Sequence, residues 1–354
     1  MPKHTMSGGA DEQHERPLIE WILAAYPDTP KTRAKQWIVA GRVSVDGRIV
    51  RKPQQVMPDP ASGLKLLDRR STALDCGSGW EIHPRLSLLY LDCALAIVNK
   101  GAGLVSVPAP NTELSALSIL QDILTGRLRP RDHRAPGKSL PPAFRRFTLL
   151  PVHRIDQYTS GVLCLACNPT ARQNLIDQLK AHTMQREYIA FVEGRPPMPH
   201  GTWSHLLSLS PDELRQQVVT EPAVPGSASK TQEAVTHYEV LEEYSFLGGN
   251  GVVSKLKLRL ETGLRHQIRI QAAEVGLPLV GERKYHHGPP ATRLVEFPRQ
   301  ALHAASLTLN HPEQPERRLT WQASFPKDLR QLEHTLRQGR ARSENRNKSY
   351  SSEA

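Results

Sequence analysis

The sequence predicts a mixed α+β fold with a small α/β unit at its N-terminal end. Strand-like and helix-like stretches interleave without regular βαβ alternation, which argues against a doubly wound parallel sheet. The alternation is strictest at Lys255-Leu256-Lys257-Leu258-Arg259-Leu260, apolar on one side and basic on the other, the pattern of a strand with one wet face. The first stretch of chain carries a pattern of its own, two short amphipathic helices followed by a hairpin. The expected organisation is a flexible tail at 1–16, a small domain at 17–68, a linker at 69–85, a large domain at 86–330 and a polar, disordered tail at 331–354.

In the N-terminal unit, Leu18, Ile19, Ile22 and Leu23 have helical spacing, and Pro27-Asp28-Thr29-Pro30 ends that segment. A second helix turns Ala34, Trp37 and Ile38 inward and closes at Gly41. Val43–Val45, Asp46-Gly47 and Arg48–Val50 form a hairpin, for which Asp-Gly is the strongest short signal. Residues 69–85 contain Asp75-Cys76-Gly77-Ser78-Gly79 and resemble a linker. Leu86–Leu91 and Leu95–Val98 are apolar strands, and a basic, Pro-rich stretch from Thr125 to Phe147 is expected as a flexible loop. A charged, turn-rich loop, Pro151–Gly161, feeds the apolar run Val162–Cys167, as a functional loop on a buried strand would. Asn168-Pro169 is a helix start, with Asn as cap and Pro at the first helical position. Arg186–Gly194 follows as a strand, residues 195–229 are weakly patterned, and Ile268, Ala272 and Val275 define a helix that ends at Gly276. Ala305–Leu309 is the last strand.

Charge narrows the function. With 46 Lys+Arg against 35 Asp+Glu, the chain has a formal charge of +11, which favours a polyanionic partner, RNA before a membrane surface. No apolar stretch approaches the ~18 residues of a membrane helix, and a cytoplasmic protein is expected. Cys164 and Cys167 have metal-ligand spacing, but the histidines beyond, His182 and His200, lie too far apart to complete a finger. No metal is therefore expected. Gly137-Lys138-Ser139 lacks the glycine a phosphate loop requires, since Asp132 stands there. No dinucleotide fingerprint, Gly-x-Ser-x-Gly or His-Glu-x-x-His occurs, and no cofactor is expected. The residues that remain as chemical candidates are Asp156, Tyr188 and Arg269.

Two resemblances sharpen this. TRAKQWIVAGRVSVDGRIV resembles the S-four-type RNA-binding module, which implies that Lys31, Arg33, Lys35, Arg42 and Arg48 hold RNA by phosphate and shape. HRIDQYTSGVLCLA resembles the central motif of the RluA-like pseudouridine synthases. LLYLDCALAIVNKGAGL, REYIAFVEG, SKTQEAVTHYEVL, TGLRHQIRIQAAEVGLPLVGERKY and LHAASLTLNHP resemble that family's other blocks, in its order. The resemblance implies a central, largely antiparallel sheet split by a catalytic cleft. It also implies a cofactor-free reaction in which the N-glycosidic bond of a uridine in RNA is broken and the uracil rejoined through carbon.

By match, Asp156 is the catalytic aspartate, Arg269 the cation paired with it and Tyr188 the residue that stacks on the base. Arg154 fills the gap left by the flipped uridine, Arg265 contacts RNA, and Ile268 and Ile270 line the pocket. The sequence departs from the family at Gln157 (usually basic), Leu264-Arg265 (usually Arg-Thr) and Gly101 (commonly Pro). Ribosomal RNA is the expected substrate and a monomer the expected form. The alternatives are transfer RNA as substrate, or an inactive RNA-binding or ribosome-assembly protein.

Overall fold

The computed structural model describes residues 15–39, 41–46, 48–58, 63–66, 73–110, 112, 114–131, 147–210, 215–220, 231–245, 251–285 and 294–351, with the side chains described as far as 339. Most of the N-terminal tail and the basic stretch at 132–146 lie outside these. The chain divides into two compact units, an N-terminal one and a large one from Asp75 onward.

In the N-terminal unit β1 (Arg16–Pro17) leads into α1 (Leu18–Ala25) and α2 (Lys31–Val39). The strands β2 (Val43–Val45), β3 (Arg48–Ile49), β4 (Val56–Met57) and β5 (Leu64–Leu66) follow. They form an antiparallel β3-β2-β5 sheet and a β1-β4 pair. Leu18, Ile22, Ala34, Ile38 and Val43 are fully buried together, so the helical spacing seen in the sequence is the packing face. Gly41 follows α2 at φ +72°, a left-handed position that glycine takes at no steric cost.

The large unit is built on one sheet of mixed but predominantly antiparallel pairing. Its strands are β6 (Leu74–His83), β7 (Leu86–Leu91), β8 (Leu95–Lys100), β9 (Leu150–Pro151), β10 (Ser160–Ala166) and β11 (Gln185–Glu193). They continue as β12 (His200–Leu209), β13 (Gln216–Val219), β14 (Gln232–Ser245), β15 (Val252–Leu260), β16 (Leu302–His311) and β17 (Gln314–Gln322). The order is β13-β12-β14-β15-β11-β16-β10-β8-β7-β6, with β17 beside β16 and β9 beside β10. The helices are α3 (Ala116–Thr125), α4 (Pro169–Lys180), α5 (Gln267–Glu274) and α6 (Lys327–Ser351). Asn168 caps α4 by accepting the Ala171 N–H at 2.8 Å. In β15 Leu256, Leu258 and Leu260 are buried, while Lys255 and Lys257 reach Glu333 and Glu187.

Four stretches depart from the sequence expectation. The strand at Ala305–Leu309 is not the last, because β17 follows it and pairs antiparallel with β16 through alternating half-buried residues. The described part of the expected linker, residues 73–85, contains β6, whose Trp80 and Ile82 are buried. Its glycines mask the strand pattern. The weakly patterned 195–229 contains β12 and β13, which lie at the sheet's end, where half-exposed strands tolerate polar residues. The polar end of the chain begins inside α6, anchored by buried Leu329, Leu332 and Leu336. Three leucines at helical spacing suffice to seat a helix that is otherwise polar.

Candidate active site

The loop Pro151–Gly161 opens where the two parts of the sheet meet. Between β10 and β16 only Ser160–His303 and Gly161–Ala304 pair, in parallel, while β10 and β8 pair antiparallel over six residues. Gly161 sits at φ +122°, and a Cβ there would overlap the Ala304 carbonyl, so this junction requires glycine.

Buried polar groups hold the loop from below. Lys100, at the end of β8, is fully buried, and its Nζ donates to the carbonyls of Leu104 (2.8 Å), Thr159 (2.7 Å), Gly101 (3.1 Å) and Gln157 (3.1 Å). Burial pulls its pKa down to about 7, against the attraction of the Asp156 charge. Ser106 Oγ donates to the Ile155 carbonyl at 2.7 Å, and Arg299 Nη1 donates to that of Tyr158 at 3.1 Å. Gln157, a departure from the family pattern, is exposed, and among the described residues its side chain donates to the Gly103 carbonyl at 3.3 Å.

Two histidines brace β10 in their neutral form. His153 Nε2 accepts the Cys164 N–H at 3.1 Å, and His303 Nδ1 lies 3.0 Å from Ser160 Oγ. Burial depresses them to about 3 and about 4 respectively. In the unfolded chain each takes up a proton below about pH 6.5. Stability should therefore be intact above that pH and fall as pH drops toward 4. The slope is about 1.4 kcal/mol per pH unit for each histidine. Urea midpoints measured at pH 7 and pH 5 check this, and equal midpoints would contradict it.

At the cleft itself, Asp156 Oδ2 lies 3.3 Å from Arg269 Nη1. Arg269 is buried on α5, and its Nε and Nη2 grip Glu282 at 2.8 and 2.7 Å. Burial works against the Arg269 charge, but Glu282 and then Asp156 outweigh it and leave its pKa above the ordinary value. Glu282 is itself desolvated, yet Arg269 and the backbone N–H groups of Lys284 and Tyr285 hold its pKa below the usual carboxylate range. The Arg269 guanidinium also lies 5.4 Å from the centre of the Tyr285 ring. Gln267 and Gln271, one turn apart, pin α5 to its neighbours: Gln267 Nε2 donates to the Val235 carbonyl and Gln271 Nε2 to that of Ala234. Arg269, between them in sequence, is thereby held toward the loop.

A solvent-open cleft of about 420 Å³ brings together Arg154, Asp156, Tyr188, Ile268 and Arg269, with Arg186 and His266 also on its wall. Tyr188 is buried on β11, beside a bulge in the pairing with β16, and burial pushes its hydroxyl pKa up. Arg154 is exposed at the cleft.

One expected pocket residue lies elsewhere. Ile270 packs with Leu207, Ala234, Ala273 and Tyr285. Two helical positions separate it from Ile268, about 200° of rotation, so the two cannot share a face. Arg265, expected to contact RNA, is half-buried, and its neighbour His266 lines the cleft. On the N-terminal unit Lys31, Arg33, Lys35 and Arg48 are exposed, and Arg42 is half-buried, with its guanidinium 5.3 Å from the Trp37 ring centre. Lys100, Arg186, His266 and Glu282, which line or brace the site, carry little signal in the linear sequence. Lys100 ends an apolar strand and Glu282 follows Gly281, the only local hints of buried charge.

A carboxylate paired with a buried arginine in a cleft of a mixed sheet is the arrangement of an enzyme active site. The chain belongs to the RNA pseudouridylate synthase family, whose model matches residues 94–274, and its isomerase class follows. An S4 domain model matches residues 16–56, so both resemblances drawn from the motifs are borne out. The chain is 28% identical to the uncharacterized RNA pseudouridine synthase YlyB of Bacillus subtilis, over 93% of this chain and 96% of that one. It is 29% identical to ribosomal large subunit pseudouridine synthase D of Salmonella typhimurium, over 93% of each. A solved human protein, RNA pseudouridylate synthase domain containing 1, matches at 23% identity and a TM-score of 0.49, over 71% of this chain and 94% of that one. Among the described residues no helix is long and apolar enough to cross a membrane.

Proposed function

We propose that the chain isomerises uridine to pseudouridine in ribosomal RNA, with Asp156 as the acting carboxylate. The observation that carries this reading is the Asp156–Arg269 contact at 3.3 Å in a cleft shared with Tyr188. In this reading Arg269, 3.3 Å away, holds and aims the carboxylate. Tyr188 stacks on the flipped base, an interaction worth about 1–3 kcal/mol. Arg154, at the cleft, enters the vacated stack and offsets part of the few kcal/mol that flipping costs. Ile268, with Ile155, Leu260 and Leu302, keeps water away from the detached uracil. Ribosomal RNA is favoured because the near-full-length Salmonella relative is a ribosomal large subunit synthase. The position of Gln157, which faces solvent and not the carboxylate's partners, supports an active enzyme over an inactive RNA-binding protein. The enzyme is taken to work as a cytoplasmic monomer without a cofactor, with residues 17–68 as the RNA-holding domain and the large unit from Asp75 onward as the catalytic one.

Pseudouridine maps of ribosomal RNA from cells with and without the protein test the reading. A site lost on deletion and restored by the intact gene is expected; an unchanged map would overturn it. For the N-terminal domain, replacing Lys31, Arg33 and Lys35 by alanine should weaken RNA binding. It should also flatten the plot of log affinity against log salt by about 0.7–0.9 for each phosphate no longer neutralised. Binding measured across a salt series checks this, and an unchanged slope would place the RNA elsewhere.

A further inference from the structure

His266 enters α5 from a left-handed backbone at φ 55°, a conformation that non-glycine residues adopt sparingly and that clusters at functional sites. Its ring stands on the cleft wall, edge-on to Tyr285 with centroids 5.6 Å apart. Nδ1 lies 2.8 Å from the Tyr285 hydroxyl, and Nε2 lies 3.9 Å from Asp156 Oδ1. The Tyr285 oxygen already accepts the Gln216 backbone N–H at 3.0 Å, so its own proton is free to go to Nδ1. At the other end the Asp156 carboxylate favours a proton on Nε2. Both ends select the same neutral tautomer, with hydrogen on Nε2. Burial supports the neutral form and pulls the ring to about 4 against the attraction of Asp156, with Arg269, Arg265 and Lys284 adding to the fall.

The Nε2–Asp156 separation of 3.9 Å is too long for a hydrogen bond, and both groups line the same cleft, so this N–H is left to donate to a substrate atom seated in the cleft beside the pair. We infer that His266 is a further catalytic residue, whose Nε2–H donates a hydrogen bond to the uracil O2 as the N1–C1′ bond breaks. The inference rests on Asp156 being the acting carboxylate. Whether Asp156 bonds to C1′ or takes the C2′ proton, the electron pair of the broken bond leaves with the uracil and spreads onto O2 and O4. O2 is the uracil oxygen next to the bond that breaks. A preorganised donor aimed at developing charge lowers the barrier by stabilising it in place. A neutral imidazole keeps its proton, so the uracil stays anionic and able to rejoin through carbon.

Three variants and one spectrum test this. His266→Asn tolerates the left-handed backbone but is too short to reach the cleft; single-turnover rates should fall about 100-fold with RNA affinity and melting temperature unchanged. His266→Gln, which can place an amide near the Nε2 position, should recover part of that loss. Nitrogen NMR of the histidine ring should show the Nε2–H tautomer, and Tyr285→Phe should mix the tautomers and slow turnover. A folded His266→Asn with undiminished rate, or a ring protonated at Nδ1 in the intact enzyme, would overturn the inference. Asp156→Ala run alongside separates the two readings. If it is active, the Asp156 reading falls and this one with it; if it is inactive while His266→Asn is fully active, only this one falls.

Discussion

Asp156→Asn should reduce pseudouridine formation by at least about 1000-fold, the scale expected when the nucleophile or general base of a reaction is removed, and should leave the protein folded. Asparagine has nearly the shape of aspartate but carries no charge and cannot attack or take a proton. The concern with such a variant is the cation left behind, because an orphaned buried charge is strongly destabilising. Here Arg269 keeps both bonds to Glu282, at 2.8 and 2.7 Å. The loop also stays tied through backbone carbonyls to Lys100 and Ser106, not through the Asp156 side chain. Single-turnover assays on a uridine-containing ribosomal fragment, with a thermal melt of the same sample, check both halves. Activity within tenfold of the intact enzyme would remove Asp156 from the chemistry.

Glu282→Gln should have the largest effect on stability. Its carboxylate is fully buried, accepts both arms of Arg269, and receives the N–H groups of Arg283 and Lys284 at 3.0 and 2.7 Å. Glutamine conserves the volume but cannot accept at both positions or supply the charge. Breaking one side of a buried pair costs about 3–5 kcal/mol, which for a unit of this size corresponds to a fall in Tm of about 5–10 °C. Activity should fall as well, because Arg269 loses the partner that fixes its guanidinium and is left with the longer contact to Asp156. Calorimetry checks the first effect, and a shift under about 2 °C would show that Arg269 finds equivalent partners without Glu282. Replacing the charge at Asp156 should thus remove chemistry and spare the fold, whereas replacing it at Glu282 should damage both. The two carboxylates share an arginine but differ in burial.

Much of this was legible in the chain. Periods of two and of 3.6 marked β15 and α1, because those elements bury one clean face. Asn168-Pro169 and Gly41 marked helix ends through local backbone preference alone. The ordered motif blocks named the family, and through it Asp156, Tyr188 and Arg269. Local pattern failed where a neighbour supplies the reason for a residue. The strand β6 was hidden by glycines, and the seating of α6 depends on an apolar surface formed by distant strands.

The loop Pro151–Gly161 and the residues expected beside it show the same division. The sequence by itself determined which residue types converge: one carboxylate, one arginine, one tyrosine and a glycine that lets two strands touch. Tertiary structure decided how they are held. It placed Glu282 behind Arg269, set Lys100 under the loop and turned His266 into the cleft. It also sent Ile270 to the core. Burial and partnership belong to pairs of residues far apart in the chain, and a linear pattern carries no record of them until the sheet brings them within hydrogen-bond reach.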